Sequence, residues 1–316
     1  MGTPSYSTTR LAGKHRILKK VNEQKYLLLL VMPAVVWLFV FAYMPIYGVV
    51  IAFKAYNVGL GIWGSPWSGL DQFQVLFTDR LFYNALRNTF LISAAKLVIG
   101  FPVPIVFALM LNELKGMHLF KKGVQTLTYL PHFLSWAFVA AFLITFFSDA
   151  GMINYLLTSL NLVGGPYAFL ADRASFFSIV VLSDIWKHFG FSSIIYLAAI
   201  STISPTLYEA AYMDGASRFQ RAWYITIPGI KPTVIVLLIL AISRMMTQNF
   251  EQLFLMQNIL VMDVAEILET YTYKMGLQKA RFSYSTAVGL FQSLVAFVLL
   301  FSANRFSRWY TGESVF

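Results

Sequence analysis

Ionisable and amide side chains set inside apolar runs are where this chain could do chemistry, and they are few. Arg244, Gln248 and Gln252 recur every four residues, with Asn249 and Glu251 beside them. On a helix that spacing draws one polar stripe. Turned to lipid, such a stripe is expensive, so it should face another helix or a water-filled cavity. Upstream, Asp184 and Lys187 stand three apart and can meet on one helix face, a pairing read first as structural. Lys96 lies alone in its apolar run, placed to snorkel or pair, while Met245 and Met246 read as packing. This is chemistry of recognition, by charge and hydrogen bond. Covalent chemistry has no foothold: there is no Cys, and His15, His118, His132 and His188 have no ligand-like spacing. The motifs Gly-x-x-x-x-Gly-Lys-Ser/Thr, His-Glu-x-x-His and Gly-x-Ser-x-Gly do not occur. An intramembrane protease or glycosyltransferase would need a carboxylate pair or a Ser/Lys dyad, and neither is evident.

A second constellation is polar but suits docking better than binding a small solute. Glu209-Ala210-Ala211-Tyr212-Met213-Asp214-Gly215 is followed ten residues later by Ile225-Thr226-Ile227-Pro228. Pro205 can open a helix that Glu209 to Met213 continue, and Gly215 suits a sharp turn. The alanines expose little side chain, so another protein can approach closely. Residues 205–231 therefore read as helix, turn, helix, with Pro228 closing the segment.

The elements that position these groups are membrane spans. The chain of 316 residues is 58% hydrophobic and only 12% charged, and its 29 Phe and 17 Tyr suit interfacial belts and packing between spans. A soluble domain carries about 25% charged residues. A span needs about 20 mostly apolar residues, and six stretches qualify: Tyr26–Phe53, Asn88–Leu111, Leu127–Phe147, Phe176–Ile200, Thr233–Phe254 and Ala287–Phe306. Pro33 and Pro45 should bend the first. A cleavable signal is the rival reading of residues 1–53, but the apolar part is too long for one.

Charge sets the orientation. The net charge of +10 could suggest nucleic acid, but basic residues flank the spans instead of forming a phosphate-binding surface. With the N-terminus inside, Arg10, Lys14, Arg16, Lys19, Lys20, Lys25, Lys115, Lys121, Lys122, Arg218, Arg221, Lys231, Arg305 and Arg308 are cytoplasmic. Only Lys54, Arg80, Arg87, Arg173, Lys274, Lys279 and Arg281 fall outside, whereas Asp71, Asp79, Asp149, Asp172, Glu251, Asp263, Glu266 and Glu269 all do. The expected fold is an all-α polytopic membrane protein: six transmembrane helices, both termini cytoplasmic, with a basic arm at 1–25, a six-span domain at 26–306 and a tail at 307–316.

The docking segment resembles the signature of permease subunits in bacterial ATP-binding-cassette (ABC) importers. That signature is Glu-Ala-Ala, three residues, Gly, nine residues, Ile, any residue, Leu-Pro. Glu209, Ala210, Ala211, Gly215, Ile225 and Pro228 match it, and Ile227 replaces the usual Leu. The flanking Tyr208, Asp214, Ala216, Ser217, Arg218 and Phe219 resemble the sugar-importer branch, as do Asn88-Thr89, Tyr129-Leu130-Pro131, Trp186 and Gly190-Phe191. From Tyr26 to Trp309 the chain is similar to permeases for oligosaccharides and polysaccharide fragments, including alginate and pectin-derived sugars.

The resemblance implies the type I importer fold in a bacterial inner membrane. It implies a coupling role for Glu209, Ala210, Ala211, Asp214, Gly215, Arg218 and Pro228, with Glu209 as the charged contact to an ATPase. The implied partners are a second permease, two ATPase subunits that use ATP and Mg, an extracytoplasmic sugar-binding protein and the bilayer, with no cofactor on this chain. For an oligosaccharide, Arg244, Gln248, Asn249 and Gln252 would offer polar contacts, and Trp186 and Tyr47, with Tyr43 and Phe250, stacking faces. Packing against the partner permease is the other reading of these residues. An ATP-independent secondary transporter is the alternative function, although internal repeats are not apparent; a structural scaffold is a third.

Overall fold

The computed structural model describes residues 23–114, 116–247 and 249–312. Most of the basic arm, Lys115 and Gln248 therefore lie outside the described residues. Among those described, regular structure is helical apart from one isolated bridge between Lys54 and Trp67. Helices satisfy their own backbone groups, which is what lipid demands of a crossing segment.

The first apolar helix runs Lys25–Phe53 in three pitches. Helix α1 (Lys25–Leu38) widens into a π turn at Phe39–Tyr43, then tightens into a 3₁₀ stretch at Met44–Phe53. Pro45, which has no N–H to donate, stands where the pitch changes. No residue of α1 is buried. Helices α2 (Arg80–Gly100) and α3 (Pro102–Glu113) form one apolar run of 34 residues. It begins eight residues before the expected Asn88, because Asp79 caps it by accepting a hydrogen bond from the Leu81 N–H at 2.8 Å. Asn88 and Thr89 serve the loop that precedes the final helix. The Asn88 amide donates to the carbonyls of Asp263 and Glu266, and the Thr89 hydroxyl accepts from the Leu268 N–H.

The expected third span is not straight. Helix α4 (His118–Tyr129) passes through a 3₁₀ turn at Leu130–Phe133 and meets α5 (Trp136–Phe146) at 99°. Pro131 weakens the ladder there, Leu134 and Ser135 turn extended, and the Ser135 hydroxyl caps α5. Helix α6 (Arg173–Ser201) matches expectation within three residues and leads through a 75° bend to α7 (Pro205–Met213).

The fifth span departs most. Helix α8 (Ile227–Ser243) extends back through a π turn at Ala222–Thr226 to Arg218, so the apolar helix is Arg218–Ser243. Pro228 does not close the preceding segment; it lies inside the helix, beside the widened turn. The helix then stops at Ser243, and α9 (Phe250–Met256) starts only after a break. The expected helix Thr233–Phe254 and its single polar stripe are therefore corrected. The short α10 (Leu268–Tyr273) precedes α11 (Phe282–Thr311), which contains the expected sixth span and runs into the tail.

Among the described residues, four helices are long and apolar enough to cross a membrane, and the two bent pairs bring the number to six if each is one span. Helix α6 is the hub. Its Phe176, Ile179 and Val180 pack with Ile92, Val139 and Leu253, and further along Tyr196 and Ile200 pack with Ala108 and Ile230.

Candidate functional site

Two places gather the candidate residues: a cavity inside the helix bundle and the turn between α7 and the Arg218–Ser243 helix.

The cavity, open on one side, has a volume of about 690 Å³ between α2, α3, α5, α6 and α8. Its polar wall comprises Lys96, Asp184, His188, Arg244 and Asn249, and its apolar wall includes Trp136, Phe189 and Leu237. Arg244 follows the last residue of α8, and its N–H donates to the carbonyls of Leu240 and Ala241. Among the described residues its guanidinium makes no ion pair. Lys96 and Asp184 do pair, at 3.1 Å. The wall thus keeps one positive charge uncompensated, in a region where bare charge is costly. A carboxylate or a row of hydroxyls would satisfy it.

The expected pairing of Asp184 with Lys187 does not form. Lys187 turns the other way and donates to the His132 carbonyl at 2.8 Å, with its ammonium 5.5 Å from the Trp136 ring centroid. Asp184 instead receives Lys96 and lies 3.7 Å from His188 Nδ1. Asn249 and Gln252 are buried and spend their amides on the protein: Lys96, Ser93, Val180 and Ser183. Glu251 is exposed. Trp186 is not in this cavity; it lines a separate apolar groove with Phe142, Phe146, Phe169 and Leu182. Tyr47 is also remote, packed against the Trp63 ring at 5.3 Å, and Phe250 stacks on Phe254. The structure thus brings Arg244 and Asn249 together and leaves Trp186 and Tyr47 elsewhere. Sequence reasoning missed Ser93, Trp136 and His188 as lining residues; no spacing pattern marks them, because three different helices supply them.

The second place is an exposed knuckle. Glu209 and Ala210 are exposed on α7, Ala211 is half-buried, and Asp214 ends the helix. Gly215 holds φ +78°, the left-handed region that glycine enters most easily. The N–H groups of Asp214, Gly215 and Ala216 return to the carbonyls of Ala210, Tyr212 and Ala211, so the helix end satisfies itself. Ser217 and Gln220 then form a reciprocal capping box that starts the next helix at Arg218. Arg218 is exposed, 3.9 Å from Glu113. On α7 and the helix that follows, Leu207, Tyr212, Met213 and Phe219 are exposed at 54, 69, 83 and 75%. An exposed carboxylate and several exposed apolar side chains therefore share this short segment.

No group of three or more His, Cys, Asp or Glu among the described residues is placed to hold a metal ion. The fold and the two sites define a class: a polytopic membrane protein with a half-open cavity, one wall of which is polar, and an exposed helical knuckle. Residues 100–312 match the family described as "Binding-protein-dependent transport system inner membrane component", and the chain belongs to that family. It is a multi-pass protein of the inner membrane and a permease subunit of an ABC-type importer. It is 43% identical to Protein LplB of Bacillus subtilis (strain 168), over 94% of this chain and 92% of that protein. It is 44% identical to the polygalacturonan/rhamnogalacturonan transport system permease protein YteP of the same organism, over 96% and 94%. Among solved structures, it resembles a chain of a bacterial alginate ABC transporter in complex with an alginate pentasaccharide-bound periplasmic protein. The TM-score there is 0.86 at 38% identity, covering 95% of this chain and 100% of that one. Family membership leaves the secondary-transporter alternative without support.

Proposed function

We propose that this chain forms half of the membrane path of an importer for oligosaccharides or polysaccharide fragments. It is the transmembrane permease subunit of an ABC-type sugar importer and performs no chemistry of its own. A second, similar permease completes the path, two ATPase subunits use ATP and Mg, and an extracytoplasmic binding protein delivers the sugar. Both termini and the knuckle face the cytoplasm, where the bulk of the basic residues lie. The observation that carries the reading is Glu209, exposed on α7 in a segment with several exposed apolar side chains and backed by the left-handed Gly215. A rigid turn of this kind transmits a push from the ATPase into α6 and the Arg218–Ser243 helix, which it joins. Cavity access then alternates because the ATP-bound and ATP-free partners bind the two conformations with different affinity.

Polygalacturonan, rhamnogalacturonan and alginate, named for the relatives, are rich in carboxylates, and Arg244 offers an unpaired cation to such a cargo. The coupling test is Glu209→Lys in the chain co-expressed with its partners. Co-purification of the ATPase, or sugar uptake, should be lost while the chain still inserts; retention of both overturns the coupling role. For cargo, Arg244→Ala should raise the half-saturating concentration of trigalacturonate about tenfold, the equivalent of one charge-assisted hydrogen bond. An unchanged value assigns Arg244 to packing.

A further inference from the structure

Lys96 has more partners than any other ionisable group in the cavity. Its Nζ lies 2.6 Å from Asn249 Oδ1, 2.6 Å from Gln252 Oε1 and 3.1 Å from Asp184 Oδ1. An ammonium has three N–H donors, so this set uses them all. Each amide turns its other end to a helix: Asn249 Nδ2 donates to Ser93 Oγ, and Gln252 Nε2 donates to the Val180 carbonyl and Ser183 Oγ. Ser93 Oγ donates in turn to the Met245 carbonyl at 2.6 Å, inside the break that follows α8. The Asn249 N–H reaches Glu269 Oε2 at 3.0 Å. A helix that stops within a bundle leaves backbone groups without ladder partners. Here side chains of α2, α10 and α11 meet them, Gln292 of α11 donating to the Met246 carbonyl, and Lys96 closes the circle.

We propose that Lys96 is a positioning residue for transport: its ammonium pins the break between α8 and α9 to α2 and α6, and so fixes where Arg244 stands in the cavity wall. Having no donor to spare, it does not hold cargo itself. Without it, the Asp184 carboxylate and two amide oxygens would face one another with no donor between them, a costly arrangement away from water. The break would then be held to α2 through Ser93 alone and would loosen, and Arg244 with it. The transport consequence rests on the importer function set out above; the anchoring of the break does not.

The chain contains no cysteine, so Thr247→Cys supplies a single thiol for a nitroxide label at the exposed Thr247, and Ser201→Cys supplies a control at the end of α6. Spectra and trigalacturonate uptake would be recorded for the assembled importer with Lys96, with Lys96→Met, and with Lys96→Met combined with Asp184→Asn. The double variant removes the stranded carboxylate and safeguards folding. The label at 247 should become mobile in both variants while the label at 201 does not. The half-saturating concentration for uptake should rise roughly tenfold, as expected for a misplaced contact group. If the double variant restores an ordered label at 247, Lys96 only neutralises Asp184 and the proposal fails. A mobile label with unchanged uptake refutes the transport role equally. Parent complexes inert to trigalacturonate would speak to the cargo, and the label comparison would still decide the anchor.

Discussion

Asp79 stands where three donors converge: Tyr271 Oη at 2.5 Å, the Leu81 N–H at 2.8 Å and Tyr284 Oη at 3.0 Å. It links the start of α2 to α10 and α11, which lie far along the chain from it. Partial burial works to raise its pKa, but the hydrogen bonds from Tyr271, Leu81 and Tyr284 together hold it below the ordinary 3.8. A depressed carboxylate contributes stability that is complete above its unfolded pKa and is lost as pH falls through the lower folded value. Acidification from about pH 7 to about pH 5 should therefore leave this link intact, and weakening should begin only below about pH 4. Asp79→Asn keeps the cap but loses the charge, and should lower stability by about 1–2 kcal/mol at neutral pH. Thermal unfolding in detergent at three pH values checks both statements; an acid transition near pH 6 would refute the first. Nothing in the sequence pairs Asp79 with Tyr271 or Tyr284. The acceptor was visible and its donors were not, because almost two hundred residues separate them.

At the scale of elements, the helices were legible where periodicity and length agreed. Helix α6 and the Glu209–Gly215 knuckle match their reading because one signal dominates each: a long apolar run, and a helix former ending in glycine. The two failures share a cause. Leu127–Phe147 and Thr233–Phe254 are apolar enough to cross, so hydropathy joined pieces that the backbone separates at Pro131 and between Ser243 and Phe250. Thr247 and Asn249, residues of low helix propensity, were the available signal. The four-residue recurrence of Arg244, Gln248 and Gln252 outweighed it and suggested a stripe. The side chains that stabilise the break, Ser93 and Lys96, come from α2, so no local pattern could show it. The knuckle permits a graded test. An added Cβ at Gly215 meets nothing within 4 Å, so backbone strain alone decides the cost. Coupled uptake should rank Gly, then Asn, then Ala, then Val at 215, with Val costing about 1–2 kcal/mol in the turn because left-handed backbone disfavours branched side chains. ATPase co-purification across the series measures it, and equal coupling by Val and Gly would show that the turn need not be rigid.

For the whole molecule, we propose that the termini and the knuckle share the cytoplasmic side, and three observations are consistent with that orientation. Basic residues crowd the N-terminal arm, the α3–α4 connection, the knuckle and the end of α11, and acidic residues crowd the opposite loops. That asymmetry orients a bundle with its basic loops inside. The knuckle exposes Glu209 together with apolar side chains, which suits a soluble partner that resides in the cytoplasm. Six crossings, counted with the two bent pairs, return the chain to its starting side. Met213 and Ile259 flank the Arg218–Ser243 crossing, and both side chains are more than four-fifths exposed, at 83% and 87%. Because the chain has no cysteine, Met213→Cys and Ile259→Cys each give one addressable thiol. In intact cells whose outer barrier admits the reagent, a membrane-impermeant maleimide should label position 259 and not 213. Position 213 should react only after the inner membrane is opened, and less completely when ATPase subunits are co-expressed and cover the knuckle. Labelling of 213 in sealed cells would invert the topology and remove the ATPase-docking role of Glu209 with it. Equal labelling of 213 with and without the ATPase would keep the orientation and move the docking site elsewhere.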